Sequence, residues 1–326
     1  MPRVLPALAP ESIALAARLL RDGELVAFPT ETVYGLGARA LDPVHVARIF
    51  AAKGRPTTHP LIAHVDGPEM ARGLVASWSP AAEALAAAFW PGPVTLVLER
   101  AEHVPPDVAG GGASIAVRVP SHPCALALIR ALGEPIAAPS ANRYQGLSPT
   151  LASHVVRSLG EAVALVLDGG PCEAGVESTV VDARGPTATL LRPGAVSLDA
   201  LAAVWPVTVG PRLATGERAS PGLDAKHYAP RARLVLCAPG DLEASVAAQR
   251  ARGLGPVGAL VVEGAPAPAG AVVERLGADP AGYARGLFAA LHRLDEAGVG
   301  VVVAEAVPAT TAWAAVSDRL SRAASA

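Results

Sequence analysis

In the stretch RDGELVAFPTETVYGLG, residues 21–37, three kinds of segment meet. Upstream of it, Ile13, Ala16, Ala17 and Leu20 recur at helical spacing, and Asp22-Gly23 stops that helix. Glu24 to Phe28, apolar from Leu25 on, then reads as a short buried strand closed by Pro29. Behind it come Thr30, Thr32, Gly35 and Gly37, hydroxyls and glycines at a strand's carboxyl end. Helix, buried strand and polar loop are the unit of an α/β domain, and ligands of such sheets sit beyond the strand ends.

The same grammar continues outward. Asp42-Pro43 and Ser79-Pro80 each place a capping side chain before a proline at the first helical position, predicting helices to about residues 52 and 90. Apolar strands are expected at 94–98, 114–119, 135–138, 164–167, 178–182 and 187–191. Residues 1–205 therefore read as a mixed α/β domain. Between Trp205 and Pro230 the periodicity fails, and 206–232 reads as a linker rich in glycine and proline. Strands and helices alternate again over 233–326, predicting a smaller α/β domain with a mostly parallel sheet.

Composition narrows the function. With 51% hydrophobic and 17% charged residues, 326 residues can bury two cores. A net charge of −2 offers no general attraction for nucleic acid or an anionic membrane, so any phosphate must be held locally. Cys124, Cys172 and Cys237 form no C-x-x-C pair and read as buried thiols of a reducing compartment. Pro6 and Pro10 break the first apolar run, and no stretch reaches roughly 18 uncharged apolar residues; the chain is expected to be soluble and cytoplasmic.

Candidate chemistry gathers in a few stretches. After Ala138 comes a second polar loop, with Ser140, Asn142 and Ser148; each side chain in these loops also suits an ordinary turn or cap. Lys53 and Arg55 end a helix, where any cation would complement the dipole. Only Lys53 and Lys226 are lysines in an arginine-rich chain, so a retained ammonium points to a phosphate contact that a planar guanidinium does not mimic. His59 and His64 lack the further ligands of a zinc site and suit hydrogen bonding instead. Arg118 lies in an apolar strand, on one face with Ser114, and needs either an anionic ligand or an internal carboxylate. Ser178 opens a strand and Arg192 closes another. The Walker pattern is absent, and Gly110-Gly111-Gly112 lacks a strand-to-helix setting. The residues alone lead to an anionic small molecule in a polar cleft, with no metal site.

Taken in order, FPTETVYGLGARA (28–40), KGRPTTHPLIAHV (53–65), WPGPVTLVL (90–98), SIAVRVPSHP (114–123), APSAN with LSPT (138–150), GVESTVVD (175–182), LLRPG (190–194) and SPGLDAKHYAP (220–230) resemble the threonylcarbamoyl-AMP synthase family in its long, two-domain form. The resemblance implies a YrdC-like twisted mixed sheet with helices, followed by a Rossmann-like C-terminal domain. It implies a nucleotidyltransferase that makes threonylcarbamoyl-AMP and pyrophosphate from L-threonine, bicarbonate and ATP, with Mg2+ carried on the ATP phosphates. The product would pass to the tRNA threonylcarbamoyl transferase machinery, with no stable tRNA binding by this chain.

By matching motif positions, Thr32, His64, Arg118, Ala138 (through its backbone) and Ser178 would hold threonine. Arg55, His59, Ser114, Ser140, Asn142, Ser148, Arg192 and Tyr228 would hold ATP, with Lys53 beside the phosphates and Lys53 and Arg55 as the catalytic cations. The linker would close over the nucleotide through Tyr228. His59 stands where the family usually has asparagine, Tyr144 where it has serine, and Leu223 and Ala225 also depart from its linker. A noncatalytic double-stranded RNA-binding or ribosome-maturation module is the alternative, opposed by the net charge and the lack of a basic aromatic face. Carbamoyl transfer in hydrogenase maturation would need zinc-finger cysteines, which the chain lacks.

Overall fold

A computed structural model describes residues 1–210, 228–253 and 255–325. The linker positions Leu223, Ala225 and Lys226 lie outside the described residues. Among those described, eleven strands make one mixed sheet, in the order Arg3–Pro6, Leu165–Asp168, Val26–Phe28, Gly35–Arg39, Ile136–Ala137, Ile62–His64, Ser114–Arg118, Val94–Glu99, Thr179–Asp182, Ala188–Arg192 and Val207–Val209.

Alternation along the strands sends residues to two cores. Leu25 and Ala27 join Leu36, Ile49, Leu61, Leu85 and Leu96 on one face, while Val26 and Phe28 join Leu20, Leu128 and Leu167 on the other. Each such leucine or phenylalanine contributes about 1.5–3 kcal/mol of burial. The helices that cover these faces start where the caps were read. Asp42 Oδ1 accepts from Val44 N at 3.0 Å and starts Pro43–Lys53, and Ser79 Oγ accepts from Ala82 N at 3.0 Å and starts Pro80–Phe89.

The second sheet has four strands among the described residues, Arg233–Cys237, Val301–Glu305, Val257–Val262 and Val272–Leu276 in that order, all parallel. Pro280–Glu296 and Ala314–Ala324 cover one face and Leu242–Ala251 the other. The first of these cores also takes in Val33, Leu147, Val176 and Tyr228, which pack with Leu287, Phe288 and Leu291. The C-terminal domain is thus seated directly on the polar loops of the first. Gly175 lets the two domains approach closely, since a Cβ there would stand 2.5 Å from the backbone of Arg285.

Three strands escaped the sequence reading. Gly35–Arg39 was read as part of a polar loop because its glycines mimic one; a Cβ on Gly37 would lie 2.8 Å from Phe28 Cε1, so the glycine makes room for a neighbour on the adjacent strand. Arg3–Pro6 is an edge strand, where proline is tolerated. Val207–Val209, inside the span read as linker, pairs parallel to Ala188–Arg192. Cys124 and Cys172 are buried as expected, and burial pushes both thiols up to about 12. Among the described residues no helix is long and apolar enough to cross a membrane.

Candidate functional site

The parallel register places His64 opposite Arg118, with Ala137 paired to Ala63 on the far side. Three strand ends therefore deliver His64, Arg118 and Ala138 to one point, and the loops behind them close a cavity. Its wall includes Thr30, Thr32, Arg55, His64, Arg118, Ala138, Ser140, Glu177, Ser178, Arg192 and Tyr228.

Arg118 is 3% exposed and held in place by three contacts, which leaves part of its five N–H donors for a ligand. Its Nε donates to Gly92 O at 3.2 Å, Nη1 to Thr32 Oγ1 at 3.0 Å, and Nη2 pairs with Glu31 Oε1 at 2.6 Å. Of the two options left open by the sequence, the internal carboxylate is present. Burial pushes the Glu31 carboxyl up, but the adjacent Arg118 more than offsets this and holds it below the usual range. His64 is also buried, and desolvation together with Arg118 brings its pKa down to about 3, so the ring is neutral at pH 7. It can accept or donate one proton's hydrogen bond without repelling the guanidinium.

Lys53 is the last residue of its helix, which Gly54 ends in the left-handed conformation at φ 62°. Its ammonium is buried under the second polar loop and donates to Ser140 O and Asn142 O, both at 2.5 Å. Tyr144 N donates back to Lys53 O at 2.8 Å. Burial first, and then Arg55, lower its pKa well below that of a free lysine. The side chain that the sequence placed beside phosphates is here an anchor for the loop, while Arg55, donating to Pro60 O at 3.2 Å, reaches the wall itself.

Other expected site residues divide in the same way. Ser178 and Arg192 meet directly: Nη2 of Arg192 donates to Ser178 O at 3.0 Å and Oγ at 3.2 Å, and the Ser178 and Thr95 hydroxyls are hydrogen-bonded at 2.7 Å. Asn142 staples its own loop, donating to Arg143 O and Gly146 O, and Ser148 bonds Glu177; neither is on the wall. His59 packs edge-on against Tyr144 with ring centres 5.5 Å apart, away from the cavity lining. Ser114 shares a strand face with Arg118 but sits four residues off, about 13 Å along the strand.

Glu31, Thr95, Glu177 and Arg319 were missed by the sequence reading, although two of them flank residues that it named. Gly194 fixes how close GVESTVVD and LLRPG come, since a Cβ there would lie 2.4 Å from Ser178 C and Thr179 N. Gly194→Ala is expected to part Arg192 from Ser178, costing about 1–3 kcal/mol of stability by overpacking. A denaturant melt checks it.

Such a wall, with cations and hydroxyls turned onto one cavity rather than spread over a face, defines a binding site for anionic small molecules. A family model described as telomere recombination matches residues 18–194, and one described as threonylcarbamoyl-AMP synthase, C-terminal domain, matches 196–325. The Pyrococcus abyssi threonylcarbamoyl-AMP synthase is 41% identical over 325 residues, spanning 95% of this chain and 93% of that protein. The Bacillus subtilis threonylcarbamoyl-AMP synthase is 41% identical over 331 residues, 96% of this chain and 92% of its own. A structure of P. abyssi Sua5 complexed with L-threonine superposes with a TM-score of 0.92 at 40% identity, over 99% of this chain and 97% of that one. With both domains matched end to end, the chain belongs to the threonylcarbamoyl-AMP synthase family in its long form. It is a nucleotidyltransferase of the tRNA-modification machinery.

Proposed function

We propose that the cavity joins L-threonine, bicarbonate and ATP into threonylcarbamoyl-AMP, with threonine on the Arg118 side and the triphosphate on the Arg55 and Arg192 side. The observation that carries this reading is the single wall shared by these three buried arginines and neutral His64. Arg118, already held by Glu31 and Thr32, presents a fixed guanidinium to the amino acid's carboxylate, beside the Thr32 hydroxyl and the Ala138 backbone. Ser178, oriented by Thr95 and Arg192, stands between the two sides. The threonine amine takes up bicarbonate as a carbamate with loss of water. A carbamate oxygen then attacks the α-phosphorus, the bond to the bridging oxygen breaks, and pyrophosphate leaves. Holding the partners together supplies much of the acceleration, and fixed cations stabilise the charge that develops on the phosphoryl oxygens.

The residues do not fit a metal held by the protein. Glu177 is the one carboxylate on the described wall, and it is taken by Arg319 and Ser148; among the described residues no cluster of His, Cys, Asp or Glu could hold an ion. Magnesium therefore enters with the nucleotide, as part of the MgATP substrate. The cavity encloses about 50 Å³, against several hundred for typical ligand pockets. ATP therefore needs a wider cavity than this one, whose wall includes Tyr228, 1% exposed and packed against Phe288.

Pyrophosphate release by the purified protein tests the reading. It is expected to require threonine and bicarbonate together; release at the same rate with ATP alone would reject it.

A further inference from the structure

A triphosphate site should not carry a bare carboxylate, yet Glu177 lines this one and is only 6% exposed. Its compensation comes from the other domain. Arg319, on the final helix Ala314–Ala324 and 142 residues away, has a side chain with no exposure. Its Nε donates to Glu177 Oε2 at 2.8 Å, and Nη1 donates to Pro193 O at 3.1 Å, the residue after Arg192. The guanidinium carbon lies 4.8 Å from the centre of the Tyr228 ring, which Phe288 flanks at 5.7 Å. Asp318 Oδ2 accepts from Nη1 at 2.7 Å.

One cation of the C-terminal domain therefore touches three neighbours of the nucleotide side: the Glu177 carboxylate, the carbonyl beside Arg192 and the Tyr228 ring. Burial works against its charge, but Tyr228, Glu177 and Asp318 more than offset it and hold the guanidinium above its usual range.

We infer that Arg319 is a positioning residue for ATP: it neutralises Glu177 and steadies Tyr228, so that the C-terminal domain completes the nucleotide wall without touching the substrate. This rests on the reading that Arg192 and Tyr228 face the nucleotide. Removing the Arg319 charge leaves Glu177 to repel the incoming phosphates, whereas removing both charges lifts the repulsion.

The test measures KM for ATP and for threonine in Arg319→Gln, in Arg319→Gln combined with Glu177→Gln, and in Arg319→Lys. Arg319→Gln is expected to raise the ATP KM by roughly tenfold to a hundredfold, the effect of one uncompensated charge at a partly buried site, with the threonine KM changed by less than about threefold. The double variant should recover most of the loss, and Arg319→Lys, which keeps the charge, should lose less than Arg319→Gln. Equal ATP KM values in the single and double variants would show a packing role and overturn the inference, as would a parallel rise in both KM values. If Arg319→Gln does not fold, the double variant and Arg319→Lys still decide, because the inference requires both to bind ATP within about tenfold of the unaltered chain. Arg192→Ala serves as the control on the reading beneath. An ATP KM raised there but not in Arg319→Gln defeats the inference alone; an ATP KM unmoved by Arg192→Ala defeats the assignment of the wall.

Discussion

Arg118→Ala is expected to abolish threonine-dependent pyrophosphate release, by about 10³-fold or more, and to destabilise the fold at the same time. The first effect follows from losing the one guanidinium on the threonine side, whose hydrogen bonds to a carboxylate are charge-assisted and fixed in direction. The second follows from Glu31. With Arg118 gone, a 5% exposed carboxylate has lost its 2.6 Å partner; breaking a buried pair from one side costs about 3–5 kcal/mol.

The two effects separate on adding Glu31→Gln. The neutral amide restores much of the stability, read as the denaturant midpoint, but no turnover, because nothing then meets the substrate carboxylate. Calorimetry on the stabilised double variant should find threonine binding lost. Threonine bound with unaltered affinity there would place the carboxylate elsewhere and undo the assignment of Arg118.

How much of this was legible depended on where partners lie along the chain. The strand Val26–Phe28, the helix caps Asp42 and Ser79 and the parallel second sheet announce themselves locally, through periodicity and capping chemistry that a few neighbouring residues determine. Arg118 was conspicuous because a charge inside an apolar strand demands an explanation. Its partner Glu31 was not, since a glutamate between two threonines looks like any loop residue, and only the sheet order brings the two together across 87 positions. Glu177 and Arg319 were hidden in the same way by a domain boundary. Gly35–Arg39 was misread for a different reason: glycines selected for packing against Phe28 resemble glycines selected for turns. Ser114 and Arg118 share a face but stand at opposite ends of one strand, a separation that periodicity alone does not turn into a site.

Lys53 reconnects this to the composition, where a lysine survives among arginines. The ammonium is 3% exposed, beside Arg55 and bonded to two carbonyls of the loop whose Ala138, Pro139 and Ser140 form the wall. Its lowered pKa means that burial and Arg55 both disfavour a proton there. A lysine can relax that conflict by sharing or shedding the proton while still donating two N–H bonds; an arginine keeps its charge and brings a broader planar head. Lys53→Arg is therefore expected to be no conservative change. It should overpack the site, at about 1–3 kcal/mol, and lower kcat/KM by about a hundredfold, as an ångström-scale displacement of a positioning loop does. Lys53→Met should lose a similar factor by the opposite route, leaving Ser140 O and Asn142 O without their donor. Because the proposed arrangement puts this loop beside both substrates, each variant should raise the KM for threonine and for ATP together. An ammonium acting only on phosphate would move the ATP KM alone, and that outcome would return Lys53 to direct contact with the nucleotide.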